Sequence, residues 1–146
     1  MIYTPMTIKA MRFAYRAHEG QTDQSNVPYV FHPYHLAEQM DDEISCTVAL
    51  LHDVVEDTEF TLEDLKAEFP AVVTDAVALL TYDGESDYFE YVRNLRQNYF
   101  ARRVKIADLT HNSDETRVDG IEISEEKLRY WRRKYAKARA ILLEHQ

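Results

Sequence analysis

The chain has 146 residues, enough for one domain with a buried core, and only three Gly and four Pro among them. That scarcity argues against a loop-rich or all-β protein and favours helices joined by short turns. The net charge of −9 excludes duplex nucleic acid as a non-specific partner, because an acidic surface repels phosphate polymers.

Helical periodicity and capping signals predict eight helices along the chain. In chain order they are 5–19, 32–40 and 44–57, a short helix capped at 61–64, helices opening at Pro70 and after Ser86, and helices over 101–112 and 124–143. Loops are predicted over residues 20–31 and 113–123, and no segment has the alternating pattern of a strand. The sequence therefore predicts an all-α fold, a single-domain helical bundle over residues 1–146.

The predicted helix 44–57 carries four ionisable side chains among leucines and valines. These are His52, Asp53, Glu56 and Asp57. At about 100° per residue, the four fall on one arc of the helix and the apolar residues on the other. Burying such groups is unfavourable unless something pairs with them, and a divalent metal is the most natural partner. The pattern predicts that the first pair holds metal and the second positions water or a leaving group.

Further ligands are needed to complete such a site, and His32 and Asp108 are the candidates. Lys105, Asp108 and Asn112 lie at i, i+3 and i+7 of the helix 101–112, so they should lie near one another. Two His and two Asp suit Mn²⁺, Fe²⁺ or Zn²⁺, and metal-bound water forms hydroxide near neutral pH. The residues thus predict a metal-dependent hydrolase, with a purely structural cluster as the alternative.

Two other features of the sequence are predicted to be structural. His18, at the end of the first helix, is assigned to the helix dipole, and His35 to a surface or capping role, with a contact to the metal ligands as the alternative. His111 is left open. The last helix has an apolar stripe that predicts a packing face, made of Leu128, Trp131, Tyr135, Ala138 and Leu142.

Four segments occur in order between about residues 10 and 112. They are AHEGQ at 17–21, PYVFHP at 28–33, ALLHDVVEDT at 49–58, and VKIAD at 104–108 followed by Asn112. These segments resemble the HD-domain phosphohydrolases, and within them the hydrolase domain of Rel/SpoT-type alarmone enzymes and their small single-domain relatives. The resemblance implies an all-helical fold that uses Mn²⁺ to remove pyrophosphate from the 3′ position of guanosine tetra- and pentaphosphate.

The resemblance also implies a role for each site residue. The implied metal ligands are His32, His52, Asp53 and Asp108. Glu56 and Asp57 would assist the attacking water, while Lys105, Asn112 and Ser25 would lie on the substrate side. Lys105 could pair with phosphate charge, and the Ser25 hydroxyl could bond phosphate, although a plain loop serine is the alternative for Ser25.

The chain departs from the family where the family recognises the nucleotide. Asp23 and Gln24 stand where alarmone hydrolases usually carry Arg-Lys, so a cation–π contact and phosphate neutralisation are lost. Leu109 stands where the family often has Arg. One alternative is therefore another phosphorylated nucleotide or an RNA 3′ end, for example in an antitoxin to a nucleotide-modifying toxin. The second alternative is a non-catalytic regulatory HD module.

Composition also bears on location and assembly. No apolar run is long enough to span a bilayer, which predicts no membrane partner. The single Cys46 fits a reducing compartment, and the N-terminus lacks the layout of a secretory signal, so a cytoplasmic protein is predicted. The aromatic residues of the last helix, Tyr130, Trp131 and Tyr135, could supply a contact in a homo-oligomer.

Overall fold

Helices account for the regular secondary structure of the computed structural model, which describes residues 1–144 and has no strand among them. The helices are α1 (Pro5–Ala17), α2 (Phe31–Glu38), α3 (Glu43–Leu51), α4 (Val54–Asp57), α5 (Leu62–Lys66), α6 (Ala71–Leu80), α7 (Tyr88–Leu95), α8 (Tyr99–Asn112) and α9 (Glu125–Leu143). A 3₁₀ turn, Glu115–Val118, lies between α8 and α9. The predicted all-α fold is confirmed. The predicted domain end at 146 lies outside the described residues.

Side-chain caps explain where several helices begin. Thr4 accepts a hydrogen bond from the backbone N–H of Thr7, and Pro5 opens α1, as predicted. Thr61 forms the predicted capping box at the start of α5. The predicted cap at Ser86 is wrong. The Asp87 side chain caps α7 by accepting a hydrogen bond from the backbone N–H of Phe89, while the Ser86 hydroxyl donates to the Asp83 carboxylate.

Helix α3 lies at the centre of the core. Every residue from 45 to 51 is buried, and α1, α2, α6 and α8 all pack against this helix. Its mean hydropathy and the absence of a polar face fit a helix that is covered all round. The buried apolar cluster runs from Ala10 to Leu142, so α9 closes the same core. The predicted metal ligands described below project from α2, α8 and the turn that follows α3.

The predicted continuous helix 44–57 is wrong. Helix α3 ends at Leu51, and α4 begins again at Val54 after a turn at His52 and Asp53. The imidazole Nδ1 of His52 lies 2.7 Å from the carbonyl oxygen of Ala49, the acceptor that a continuing helix would use for the N–H of Asp53. A side chain therefore competes with the backbone at this point, and the turn re-aims both His52 and Asp53.

Two irregular segments lie beside the bundle. The loop between α1 and α2 is drawn together by a bridge between Thr22 and Pro28, with Asn26 in the left-handed region at φ 63°. The predicted loop 113–123 contains the 3₁₀ turn, which was not predicted. Within residues 1–144, no helix is both long and apolar enough to cross a membrane.

Candidate metal centre and the adjoining cavity

The four predicted metal ligands meet where α2, α8 and the α3–α4 turn come together. His32 Nε2 lies 2.9 Å from Asp108 Oδ1 and 3.8 Å from Asp53 Oδ2. His52 Nε2 lies 3.0 Å from Asp53 Oδ2 and 3.6 Å from Asp108 Oδ1. Both histidine side chains are only 3% exposed. The fold thus gathers two imidazoles and two carboxylates, here termed the metal cluster.

The backbone holds His52 in one orientation. The Ala49 carbonyl can only accept, so His52 Nδ1 carries a proton and donates it. His52 Nε2 is buried and makes no hydrogen bond with residues 1–144, although Asp53 Oδ2 lies 3.0 Å away. A buried nitrogen of this kind needs a partner, and metal-ligating histidines are usually held by such a bond at the other nitrogen. The arrangement fits a divalent metal.

The electrostatics of the metal cluster agree with a bound cation. Burial raises the pKa of Asp53, but the neighbouring His52 outweighs burial and lowers that pKa to about 2. Burial would lower the pKa of His52, but Asp53 and Asp108 raise it well above its ordinary value, so a proton on this ring supplies the positive charge that a metal would otherwise supply. Burial also raises the pKa of Asp108, while Lys105 and the two histidines hold it well below its ordinary range. Two charged carboxylates buried beside imidazole rings favour a positive ion between them. His32, His52 and Asp53 each place one ligand atom within 4.8 Å of the others, a donor set that is compatible with a divalent metal.

A second histidine orients His32. The Nδ1 atoms of His32 and His111 are 2.7 Å apart, and the two rings are nearly coplanar, 6° apart, so an N–H of one donates to the other. Burial, Arg117 and the adjacent histidines lower the pKa of His111 to about 4, so its neutral ring can accept. His32 then donates from Nδ1, which leaves its Nε2 lone pair facing Asp108. His35 stacks on His111 with ring centroids 4.1 Å apart.

Glu56 and Asp57, predicted to assist water, lie at the solvent side of the metal cluster. Carboxylate oxygens of Asp53, Glu56 and Asp57 lie within 4.8 Å of one another. Partial burial and the charge of Asp53 raise the pKa of Glu56 to about 7 and that of Asp57 to about 6, although both side chains reach solvent. A carboxylate that titrates near neutral pH is suited to accept a proton from water.

Tyr29 is a member of the site that the sequence did not single out. Its hydroxyl donates to Asp53 Oδ2 at 2.5 Å and lies 3.5 Å from Asp57 Oδ2. Its ring lies 5.0 Å from that of His18, which is buried and whose Nδ1 lies 2.8 Å from Gln21 Oε1. Burial lowers the pKa of His18, so the predicted role as a charged partner of the helix dipole is wrong.

Lys105, predicted to lie on the substrate side, contacts Asp108. Its Nζ lies 2.9 Å from Asp108 Oδ2, and its side chain is 12% exposed. The same Nζ lies 5.7 Å and 5.3 Å from the ring centroids of Tyr88 and Tyr91. The ammonium group therefore stabilises the charge of a predicted ligand. A contact between Lys105 and substrate phosphate stays a prediction.

A cavity of about 450 Å³ opens beside the metal cluster and contains the other two predicted substrate residues, Ser25 and Asn112. The Ser25 hydroxyl donates to the carbonyl oxygen of Arg117. Asn112 donates to Asp108 Oδ1 at 3.2 Å and accepts from the Arg117 guanidinium at 3.2 Å. Asn112 thus joins the metal cluster to the cavity wall. Arg117 was not predicted, because nothing in the linear sequence places the 3₁₀ turn next to residue 25.

Charges around the cavity are paired with one another. An Asp23 carboxylate oxygen lies 3.8 Å from the Arg117 guanidinium, and Glu115 forms a two-pronged pair with Arg132 at 2.6 and 2.7 Å. The stripe of α9 divides into two parts. Ala138 and Leu142 are buried in the core as predicted, whereas Leu128, Trp131 and Tyr135 line the cavity. The apolar stripe of α9 therefore packs against the core at its C-terminal end and forms an apolar and aromatic wall of the cavity at its N-terminal end.

Comparison with known proteins identifies the family. The family described as HD domain matches residues 10–98, more than half of the chain. This chain belongs to the HD-domain family. The HD domain is 37% identical to a GTP pyrophosphokinase of Streptomyces coelicolor, over 83% of this chain and 16% of that protein. It is 34% identical to the bifunctional (p)ppGpp synthase/hydrolase SpoT of Escherichia coli K12, over 72% of this chain and 18% of that protein.

A solved structure has the same fold. It is described as "A metazoan ortholog of SpoT hydrolyzes ppGpp and plays a role in starvation responses", and it matches with a TM-score of 0.77 and 25% identity. The match covers 98% of this chain and 88% of that one. By contrast, the HD domain corresponds to less than a fifth of the length of the bacterial relatives named above. The predicted relationship to Rel/SpoT-type HD domains is confirmed.

The region matched by the HD family contains only part of the site. Residues 10–98 include His32, His52, Asp53 and the two carboxylates of α4, but they end before Asp108. The fourth predicted ligand, Lys105 and the cavity wall formed by α8, the 3₁₀ turn and α9 lie after residue 98, in the last third of the chain.

Proposed function

We propose that this HD domain is a divalent-metal-dependent pyrophosphohydrolase that removes pyrophosphate from the 3′ position of guanosine tetra- and pentaphosphate. The buried His52 Nε2, which has no hydrogen-bond partner among the described residues and faces two carboxylates, carries this proposal. The cavity beside it has room for part of a nucleotide. The names of the SpoT-type relatives support guanosine tetraphosphate as the substrate.

His32, His52, Asp53 and Asp108 would hold the metal. When bound, a divalent ion at this position would polarise a phosphoryl oxygen and lower the pKa of a water molecule. We propose Mn²⁺ as the ion, with Fe²⁺ and Zn²⁺ as the competitors for the same donor set. His111 and the Ala49 carbonyl keep the two ligand rings in the tautomers that binding needs.

The remaining side chains would act on protons and on the nucleotide. Glu56 or Asp57 accepts a proton from the water that attacks the phosphorus next to the 3′ oxygen. The bond between that phosphorus and the 3′ oxygen breaks, the 3′ oxygen takes up a proton, and pyrophosphate leaves. Asn112 and Ser25 line the cavity and would position the nucleotide. Lys105 keeps Asp108 ionised, and we propose that it also lies close to the phosphate charge.

The test is release of pyrophosphate from guanosine tetraphosphate with added Mn²⁺, comparing the wild type with Asp53→Ala. We expect turnover to fall more than about 100-fold, since a ligand matters at least as much as the outer contacts of a metal site. Asp75→Ala is the matched control, because Asp75 is exposed on α6 and lies outside the site. Its turnover should equal that of the wild type.

Two results would count against the proposal. Equal turnover in the wild type and in Asp53→Ala would show that the metal cluster takes no part in the reaction. A wild type that binds Mn²⁺ but does not hydrolyse guanosine tetra- or pentaphosphate would exclude the alarmone substrate while leaving the metal site in place.

One observation favours a second candidate substrate. Asp23, Asp114 and Glu115 line the cavity, and only Asp23 and Glu115 pair with an arginine of the same lining, so the cavity keeps a net negative charge that is unfavourable for a highly phosphorylated guanosine. Another phosphorylated nucleotide, or an RNA 3′ end, would bring fewer phosphates into this cavity. A panel of 3′-phosphorylated nucleotides and short RNAs, assayed for released phosphate under the same conditions, separates the two candidates.

Three further proposals concern the setting of the enzyme. The buried free thiol of Cys46 supports a reducing, cytoplasmic compartment. The exposed ring of Tyr130 supports a homo-oligomer through α9, whereas Trp131 and Tyr135 line the cavity instead. One continuous core from Ala10 to Leu142 supports a single HD hydrolase domain. Size-exclusion chromatography with light scattering tests the second of these.

A further inference from the structure

A second concave surface, of about 300 Å³, lies between α7 and α9. Its lining consists of three aromatic and three basic residues, which we term the basic groove: Tyr88, Phe89, Tyr130, Arg133, Lys134 and Lys137. No acidic residue lines it, although the chain has 26 acidic residues and a net charge of −9. The basic groove shares no lining residue with the cavity described above.

The lysines of the basic groove are held in place without being neutralised. Lys134 Nζ lies 4.3 Å from the ring centroid of Tyr88, and Lys137 Nζ lies 4.2 Å from that of Phe89. An aromatic face attracts an ammonium group but leaves its charge uncompensated. Across residues 1–144, neither these lysines nor Arg133 forms an ion pair with a carboxylate. The groove therefore offers preorganised positive charge.

The basic groove adjoins the metal cluster through one aromatic ring. Tyr88 lies near both Lys134 and Lys105, whose Nζ is 5.7 Å from the Tyr88 ring centroid. Lys105 in turn contacts Asp108, a predicted metal ligand. Burial and the charge of Lys105 lower the pKa of Lys134, while Glu56 raises it, so these charges lie within range of each other. A short series of contacts, from Lys134 through Tyr88 and Lys105 to Asp108, therefore links the groove with the metal cluster.

We propose that the basic groove binds the 5′-phosphate groups of a nucleotide whose 3′ end lies at the metal cluster. This assignment rests on the proposed function, in which the substrate carries phosphates at both ends. The metal cluster accounts for one end, and an acidic protein needs a local set of cations to hold the other. Lys134 and Lys137 provide point charges for phosphate oxygens, and Arg133 at the rim adds a planar donor.

The first test measures binding without catalysis. Guanosine tetraphosphate is titrated calorimetrically into the whole protein in EDTA, and the wild type is compared with Lys134→Met/Lys137→Met. Methionine keeps the apolar stem that packs on the rings and removes the charge. We expect the affinity to fall about tenfold for each lysine, the effect of losing one charged hydrogen bond. An unchanged affinity would overturn the proposal.

Two controls accompany this measurement. Arg129→Met/Arg139→Met removes the same two charges from exposed positions of α9 outside the groove, and its affinity should stay within about twofold of the wild type. An equal loss in this variant would show general electrostatics and overturn the assignment. Lys134→Arg/Lys137→Arg keeps the charge and should bind like the wild type, which separates charge loss from a folding defect.

The second test uses catalysis to locate the phosphates. Hydrolysis of guanosine tetraphosphate is compared with hydrolysis of guanosine 3′-diphosphate, which lacks 5′ phosphates. The double methionine variant should raise KM about tenfold or more for the first substrate and leave the second unchanged. Equal effects on both would exclude the 5′ end. If the wild type hydrolyses neither while the binding loss persists, the proposed reaction fails and the groove remains a phosphate site.

Discussion

The metal cluster and the cavity next to it are built in different ways. The cluster takes its side chains from α2, α8 and the end of the central helix α3, and both histidines are fixed at their second nitrogen. The cavity is bounded by the α1–α2 loop, the 3₁₀ turn and α9, and its charges pair mainly with each other. Surface segments rearrange at a lower free-energy cost than packed helices.

If the proposed function holds, reaction type and substrate choice reside in separate parts of the molecule. The cluster can be assembled only if the core folds, because its side chains come from elements that pack against or continue α3. An ion pair in the cavity lining can be changed without moving the predicted metal ligands. Asn112 is the exception, because it contacts both Asp108 and Arg117.

The largest effect is expected from Asp108→Asn. It removes a predicted ligand and leaves the buried Lys105 without its partner, so turnover should fall more than about 100-fold and the free energy of unfolding by about 3 kcal/mol. Metal content by plasma mass spectrometry, turnover and urea denaturation measure these. Asp114→Asn, an exposed change in the cavity, should keep wild-type metal content. Full metal occupancy in Asp108→Asn would contradict the cluster.

A smaller effect is expected from His111→Phe. The ring shape stays, but the acceptor for His32 Nδ1 is lost, so metal affinity should fall about tenfold. Competition with a chelator of known affinity measures this. His35→Phe is matched to it, since His35 stacks on His111 without contacting His32 by a hydrogen bond, and its metal affinity should not change. Equal losses in both variants would show that the loss does not come from the hydrogen bond between His111 and His32.

Arg117→Met should affect mainly the cavity, because burial still lowers the pKa of His111 when the charge of Arg117 is removed. We expect KM for guanosine tetraphosphate to rise about tenfold with kcat and metal content unchanged, because the cavity that we propose holds the nucleotide loses a cation and the hydrogen bond to Asn112 while the cluster is intact. Arg132→Met removes the same charge from the same cavity, but its guanidinium is already paired with Glu115, so KM should change less than about twofold. A fall in kcat for Arg117→Met would show that the cavity and the metal cluster do not act separately.

Asp23→Asn tests the same ion pair from its other side. The substitution releases Arg117 and removes an acidic neighbour of the nucleotide, so KM should fall about threefold. This change corresponds to the free energy of one weak, solvent-accessible ion pair. In the Arg117→Met background the change should have a smaller effect, because the two residues are coupled. Steady-state kinetics on the four proteins of this cycle measure the coupling. Additive effects would mean that Asp23 acts on the nucleotide directly.

The smallest effect concerns Glu56, at the boundary of the cluster. Its pKa is raised to about 7 in the folded protein, so its stability contribution is fully present below its unfolded pKa and is lost as pH rises through 7. In EDTA at pH 8, Glu56→Gln should therefore be more stable than the wild type by about 1 kcal/mol, after allowance for solvent exposure. At pH 4.5 the two should unfold together.

Thermal unfolding of both proteins at the two pH values measures this difference. Glu59→Gln, an exposed neighbour, serves as the control and should shift neither curve. A destabilised Glu56→Gln at pH 8 would mean that the charge is favourable where it stands, and that its hydrogen bond from the Tyr82 N–H dominates.

Much of the fold could be predicted from local signals. Capping residues such as Thr4 and Thr61 bond to groups within their own first turn, so their effect is readable from the sequence. The helix break at His52 could not be predicted. Helical periodicity contains no information about a side chain that hydrogen-bonds a backbone carbonyl in place of the next N–H of the helix. Arg117 and Tyr29 were missed for a related reason, since their partners lie on other elements.

The sequence by itself determined which side chains could carry the chemistry, namely two histidines, two aspartates and a neighbouring carboxylate pair, and which segments are helical. Spacing along one helix decides such features within a few residues. Only the tertiary structure decided that His32 pairs with His111, 79 positions away, and that Arg117 shares a cavity with Ser25. Contacts between distant residues depend on how the helices pack around α3, and packing is a property of the whole core.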